Sequence, residues 1–204
     1  MIRLSNISKS YGTLTVLSNI SLTIGKGEII TIVGPSGAGK TTLLQIAGSL
    51  DRPDSGEIIY DGENIAALND KKLSHFRNTN IGFVFQFHQL LPEFTACENV
   101  ALPAMIGGMS KKKAMQKASG LLDMLGLSER KNHKPAEMSG GERQRAAIAR
   151  AMINDPEVIF ADEPTGSLDS RNRDEIRNVI ADRVISMADG HSTFKNEVQK
   201  FRSE

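Results

Sequence analysis

The sequence predicts an α/β fold: a mixed sheet, an antiparallel β region toward the N-terminus and a helical subdomain inserted midway. Three features point there. A β-branched apolar run, Glu28-Ile29-Ile30-Thr31-Ile32-Val33, leads into a glycine-rich loop and then a helix-forming stretch. Ahead of it, apolar and polar residues alternate between Ile2 and Ile24. Beyond it, the stretch from about Phe87 to Lys134 reads as helical, another helix runs from Ser139 to Asn154, and a second apolar run, Val158 to Ala161, follows.

A chain of 204 residues suits one substantial α/β domain with a small appended subdomain. Its formal net charge of +1 and pI of about 7.9 set up no global field directed at nucleic acid or an anionic membrane. Partners must be read from local features. The single cysteine, Cys97, excludes an internal disulfide and fits a reducing compartment. No apolar run approaches the ~20 residues of a membrane-spanning helix, and Met1 to Ser10 lacks a signal-peptide core. The expectation is a soluble, cytoplasmic protein.

Taken in order, Ile2 and Leu4, then Leu17, Ile20, Leu22 and Ile24, describe the antiparallel region, with Tyr11-Gly12 between and Gly25-Lys26-Gly27 after. Thr41 to Gly48 reads as a helix, Glu57 to Tyr60 as a strand, and Asp61-Gly62 as a tight hairpin turn. Asn69 is expected to cap a short helix reaching about Arg77, and Ile81 to Phe85 to form a buried strand ending on Gln86. Thr95-x-x-Glu98 is a capping box. Ser110 opens a helix whose apolar positions Ala114, Met115, Ala118, Leu121, Leu122 and Leu125 share one face before Gly126 ends it. Met105, Met109, Met115 and Met124 read as packing residues and Lys111 to Lys113 as a solvated first turn. Ser139-Gly140-Gly141-Glu142-Arg143-Gln144 leads into an Ala- and Arg-rich helix that runs to Asn154 and stops at Asp155-Pro156. A helix over about Ser170 to Arg183, a strand Val184 to Met187, the turn Asp189-Gly190 and a polar tail complete the expectation.

The chemistry starts at Gly34-Pro35-Ser36-Gly37-Ala38-Gly39-Lys40-Thr41, which meets the pattern G-x-x-x-x-G-K-[ST] at every fixed position. Strand before and helix after supply the context that pattern needs. Glycines let the backbone bend around a phosphate with its N–H groups inward, and the helix start adds partial positive charge. Lys40 would reach the β- and γ-phosphates, and the Thr41 hydroxyl would ligate a Mg²⁺ ion. Val158 to Ala161 delivers two acids, Asp162 and Glu163. Asp162 would hold Mg²⁺ through water, and Glu163 would polarise the attacking water. A core of the P-loop NTPase kind is expected, with a nucleotide polyphosphate and Mg²⁺ as ligands.

With Ser139-Gly140-Gly141 heading a helix between those motifs, the chain resembles the ATP-binding subunits of ABC transporters from Met1 to about Asp169. The resemblance implies one nucleotide-binding domain over residues 1–204. Its ATP-binding core would comprise 1–86 and 155–204, and its helical subdomain 87–154. Tyr11 matches the aromatic residue that stacks on adenine, although a lone tyrosine is more often a plain surface residue. Gln86 matches a glutamine that touches Mg²⁺ and senses the membrane partner. Gly34 to Thr42 cradle the phosphates. Ser139, Gly140, Gly141 and Glu142 resemble the family signature, usually written with Gln at the place of Glu142 and Leu at that of Met138. In the family this helix start binds the γ-phosphate held by the opposite subunit, and Ser167-Leu168-Asp169 matches the loop crossing the dimer interface. A homodimer with ATP at its interface follows, working with transmembrane permease subunits and no nucleic acid. Such a protein sits peripherally on the inner membrane through that partner. Phe85 to Pro92 and Thr95 to Pro103 resemble the group serving lipoprotein release and macrolide export.

One departure is large. The family continues past the crossing loop with a helix and an apolar strand ending in a histidine that contacts the γ-phosphate, and this chain has no such strand. With a helix of about 11 residues and a strand of about 5 or 6, roughly 20–30 residues are missing near Asn178 to Ala181. None of His75, His88, His133 and His191 stands in the right place. The expectation is that Val184 to Met187 moves next to Val158 to Ala161, or that the fold is weakly stable, with slowed hydrolysis either way. Two functions therefore compete: a transport ATPase subunit, and an ATP-gated dimerising module that hydrolyses little. A DNA-repair or chromosome ATPase of the same superfamily would carry long heptad insertions between Lys40 and Ser139, where none occurs.

Overall fold

The structure, a computed structural model, describes residues 1–85, 88–162, 183–188 and 190–195. Along the chain the elements are β1 (Ile2–Tyr11), β2 (Leu14–Ile24), β3 (Ile30–Val33), α1 (Lys40–Ala47), β4 (Ser55–Tyr60), β5 (Glu63–Asn64), α2 (Asp70–Asn80) and β6 (Ile81–Val84). There follow α3 (Ala96–Ile106), α4 (Lys111–Met124), α5 (Gly140–Met152), β7 (Val158–Ala161), β8 (Arg183–Ala188) and β9 (His191–Lys195). They divide into two compact units, Met1–Asn69 with Leu168–Glu204, and Asp70–Ser167.

In the first unit β1 pairs antiparallel with β2 and β4, giving the sheet order β2-β1-β4-β5. Alternation puts Ile2 and Leu4 inward opposite Ile24 and Leu22. Strict period two would then bury Asn6. Instead the register shifts between Leu4 and Ile7, Asn6 takes φ 52°, and Ile7 becomes the buried residue. Asparagine tolerates that left-handed conformation, so the bulge rephases the strand at small cost. Asp61 and Gly62 have φ 43° and 94°, the paired positive values of a primed hairpin turn joining β4 to β5. Leu43, Ile46 and Ala47 of α1 are buried, and the buried Tyr60 hydroxyl donates to the Ala47 carbonyl at 2.7 Å.

A second sheet of this unit, in the order β3-β8-β9, corrects the expectation for the C-terminal part. Arg183 opens a strand where the sequence suggests the end of a helix, and His191–Lys195 pairs antiparallel with β8 where a polar tail is expected. A polar strand suffices at an antiparallel edge, which can face water on one side, so hydrophobicity does not announce it. Nor does Val184 to Met187 pair with Val158 to Ala161. It runs parallel to β3, with Val184 opposite Thr31 and Ile185 opposite Ile32, and it buries Ile185 and Met187. Apolar content alone does not select a neighbour among strands of the same sort. The helix over Ser170 to Ala181 and the loop Ser167-Leu168-Asp169 lie outside the described residues.

The second unit pairs β6 with β7 in parallel, Ile81 opposite Val158 and Val84 opposite Ala161. Its helical core is small-residue packing. Ala96, Val100, Ala101 and Ala104 of α3 meet Ala114, Ala118 and Leu122 of α4 and Ala146 and Ala149 of α5, all buried. Thr95 and Glu98 form the expected capping box. α2 extends past Arg77 to Asn80, where the Thr79 hydroxyl and Asn80 amide donate back to the carbonyls of His75 and Phe76. Met105, Met109 and Met115 pack against the core, but Met124 is 72% exposed. It ends α4 on the face away from Leu122, a packing choice that composition does not reveal.

Candidate nucleotide-binding site

Residues 34–41 join β3 to α1 within the first unit. Gly34 and Gly39 are glycines for reasons beyond turning. A Cβ on Gly34 (φ 155°) would lie 2.1 Å from the Met187 carbonyl oxygen, and one on Gly39 (φ 89°) 2.8 Å from the Val16 carbonyl oxygen. β8 and β2 press on the loop from behind. Gly37, by contrast, has nothing within 4 Å of its Cβ position. Pro35 and Ser36 are exposed, Ala38 is buried, Thr41 is exposed and Thr42 half-buried.

No side chain caps α1 and no acidic residue stands in its first turn, so the partial positive charge of the helix start is not neutralised locally. Lys40 Nζ donates to the carbonyls of Gly34 at 2.9 Å and Pro35 at 2.7 Å. That holds the ammonium at the loop. A cradle closed behind by backbone, open at Gly37 and positive at its rim fits a polyphosphate. At the end of β1, Tyr11 is 50% exposed and its hydroxyl donates to Asp51 Oδ2 at 2.7 Å. That bond, to a carboxylate, pushes the phenol above its ordinary pKa.

In the second unit Asp162 follows β7, half-buried, its N–H donating to the Val84 carbonyl at 2.9 Å. Parallel pairing thereby extends to the residue that carries the carboxylate. Ser139, Gly140 and Gly141 are exposed at the start of α5. The Ser139 hydroxyl accepts from the Glu142 N–H at 3.3 Å, and Glu142 Oε2 accepts from the Ser139 N–H at 2.7 Å. Glu142 Oε1 accepts from Arg130 Nε at 2.8 Å. Arg130 first, then Ser139, hold the Glu142 carboxyl down at about 2. Glu142 thus builds the helix start. Gln86 and Glu163 lie outside the described residues.

Candidate magnesium ligands Thr41 and Asp162 are hard oxygen donors, the chemistry that ion prefers. Among the described residues no three His, Cys, Asp or Glu cluster in a way that would hold a metal without help from a substrate. The half-buried His88 is kept below its ordinary pKa by desolvation and then by Arg143, which favours neutral imidazole. Sequence reasoning missed three features here. The Ser139-Glu142 capping box was legible from S-x-x-E spacing. The Arg130–Glu142 pair and the Asp51 bond to Tyr11 span 12 and 40 positions, with no local signal.

A family model described as ABC transporter matches residues 17–166, well over half of the chain. The chain belongs to the ABC transporter family. Among its relatives, the lipoprotein-releasing system ATP-binding protein LolD of Bacteroides fragilis is 60% identical over 182 residues, covering 89% of this chain and 84% of that protein. The protein of the same name from Syntrophotalea carbinolica is 48% identical over 220 residues, covering 95% and 97%. Of solved structures, the ATP-binding cassette MJ0796 in a dimeric post-hydrolysis state with ADP and Pi superposes with TM-score 0.83 at 36% identity, covering 95% of this chain and 98% of that one. A second dimeric MJ0796 structure gives 0.84 at 37%. The α/β cassette fold is therefore the family's. The Syntrophotalea alignment is longer than this chain: 95% of 204 residues is about 194, so about 26 of its 220 positions face a gap here. The Bacteroides alignment, 182 positions for 89% of the chain, needs no such gap.

Proposed function

We propose that this chain is the ATP-binding and ATP-hydrolysing subunit of an ABC transporter that releases lipoproteins from a membrane. It acts as a homodimer with ATP between its protomers and on transmembrane permease subunits. The observation that carries the reading is the loop at 34–41, with Lys40 held at its rim and glycines where neighbouring backbone leaves no room for a side chain. Support for the transport role comes from the lipoprotein-releasing relatives, and for hydrolysis and pairing from dimeric cassettes, one of them holding ADP and Pi. These relatives favour a working ATPase over the alternative of a dimerising module with little hydrolysis.

In this reading Tyr11 receives the adenine. The backbone of Gly34 to Thr42 and the Lys40 ammonium bind the phosphates. Thr41, Asp162 and Gln86 would hold a Mg²⁺ ion, which would supply charge neutralisation at the phosphates. Glu163 draws a proton from the attacking water, and the exposed Ser139-Gly140-Gly141 start of the partner's α5 covers the γ-phosphate. Closure of two protomers then depends on the γ-phosphate and is released by hydrolysis. The permease contact lies at Leu91 and Phe94, 44% and 37% exposed on a turn whose shape Asn99 sets. That buried side chain accepts from the Leu91 N–H at 2.7 Å and donates to the carbonyls of Leu91, Phe94 and Thr95. The protein stays outside the bilayer in this scheme; no described helix is long and apolar enough to cross it.

Calorimetric titration with MgATP tests the proposal. Lys40→Ala is expected to abolish binding without unfolding the chain, because the ammonium leaves a solvated rim. Glu163→Gln is expected to keep binding, lose phosphate release and elute as an ATP-bound dimer. Unchanged affinity in the first variant, or undiminished turnover in the second, would refute the assignment.

A further inference from the structure

Tyr11 does not stand alone at the end of β1. Asp51 accepts its hydroxyl on Oδ2, while Asp51 Oδ1 accepts from Lys9 Nζ at 3.0 Å and from the Arg52 N–H at 2.7 Å. Lys9 Nζ also donates to the Arg52 carbonyl at 2.6 Å and lies 5.2 Å from the Tyr11 ring centroid, over its face. The Lys9 side chain is 12% exposed and Asp54 lies 3.8 Å from it, so the cation is enclosed and neutralised on one side of the ring. Asp51 is itself tied to the last turn of α1, through its N–H to the Gln45 carbonyl at 3.3 Å. The helix that begins at the phosphate loop thus ends on the residue that orients Tyr11.

We propose that Asp51 and Lys9 are positioning residues for the base of the bound nucleotide: Asp51 locks the Tyr11 ring in place, and Lys9 occupies one face so that the other is presented for stacking. The proposal rests on the reading of Tyr11 as the adenine platform. An aromatic side chain on the surface turns about two bonds, and ordering it on binding costs affinity. A charge-assisted hydrogen bond to the hydroxyl removes that freedom beforehand. A cation over one face is attracted by the ring quadrupole and blocks that face, so a base has one surface to choose. Neither residue touches the phosphates in this scheme. Their effect falls on the base alone.

Titration calorimetry on the full chain separates the two ends of the ligand. MgATP probes both, and inorganic tripolyphosphate with Mg²⁺ probes the loop without a base. Asp51→Ala and Lys9→Met are each expected to weaken ATP about 3- to 10-fold, the scale of a lost hydrogen bond or cation–π contact, and to leave tripolyphosphate binding unchanged. In turnover KM should rise by the same factor with kcat within about twofold. Tyr11→Phe combined with Asp51→Ala should be no weaker than Asp51→Ala alone, because the bond to the Tyr11 hydroxyl is already lost there. The proposal is overturned if Asp51→Ala and Lys9→Met bind ATP normally while Tyr11→Ala does not, since the cluster is then a surface ion pair. It is equally overturned if tripolyphosphate weakens in parallel, which would place the effect in α1, or if Tyr11→Ala itself leaves ATP affinity intact. A wild-type chain that bound neither probe would defeat the nucleotide assignment itself, and is recognisable as such before any variant is made.

Discussion

Glu142 shows how one carboxylate can do two structural jobs. One oxygen completes the capping box with Ser139 and the other pairs with Arg130. The related signature usually carries glutamine at this place, which could still accept from the Ser139 N–H but offers Arg130 no charge. Since the carboxyl is held at about 2, below the ordinary glutamate value, its contribution to stability is complete above about pH 4.5 and is lost as pH falls toward 2. Glu142→Gln is therefore expected to melt at a lower temperature than the wild type at pH 7, and the gap between the two curves should close as the pH is lowered through that window. Thermal scans by circular dichroism at pH 7, 5 and 3 measure it. A gap independent of pH would mean that the ion pair contributes nothing beyond the cap.

At the scale of elements, one side chain of α5 clamps the segment after β6. Arg150 donates from Nη1 to the Gln89 carbonyl at 2.6 Å and from Nη2 to the His88 carbonyl at 2.7 Å. Both clamped residues are in the left-handed region, His88 at φ 59° and Gln89 at 46°, where a non-glycine residue costs about 1–2 kcal/mol. Burial lowers the Arg150 pKa, yet the two carbonyls satisfy its donors. Hydrogen bonds to a charged group contribute about 1.5–3 kcal/mol each, and they are not additive on one side chain. Arg150→Met is expected to lower the unfolding free energy by about 2–4 kcal/mol in urea, and Arg150→Lys, which cannot span both carbonyls, by less. A loss under about 0.5 kcal/mol would show that the turn holds its shape unaided.

At the scale of the whole molecule, each of the two units carries one short parallel strand pairing, β3 with β8 in the first and β6 with β7 in the second. Among the described residues β3 has β8 and β7 has β6 as its strand neighbour, which leaves room for a further strand beside each. Ile159 of β7 is 45% exposed and β3 is half-buried along its length. About 26 positions of the alignment with the Syntrophotalea relative face a gap in this chain, and the sequence reading expects roughly 20–30 residues to be absent near Asn178 to Ala181. Inserting the relative's segment at that point should therefore add ladder hydrogen bonds and apolar burial. The expected result is a higher melting temperature and a larger urea m-value, which scales with the surface exposed on unfolding. Equal m-values and melting temperatures in the two chains would show that the segment adds no packed structure.

Much of the candidate site is written within a few residues of itself. A phosphate loop needs glycines and a lysine at fixed offsets between a strand and a helix, a capping box needs two side chains three positions apart, and Asp61-Gly62 needs only its own positive φ values. Spacing determines such geometry directly, because the chain between the partners is too short to do anything else. The same holds for the alternation in β1 and β2, up to the bulge at Asn6. What lay beyond the sequence is every choice of distant partner. Packing selected β8 as the neighbour of β3, made Gly34 obligatory through the Met187 carbonyl, brought Asp51 to Tyr11 and led Arg150 to the carbonyls of His88 and Gln89. Any of several strands or charged side chains could have filled those places as far as composition is concerned. The choice among them is made by the shape of the folded backbone, since a hydrogen bond between residues tens of positions apart exists only where packing has already brought the two segments within about 3 Å.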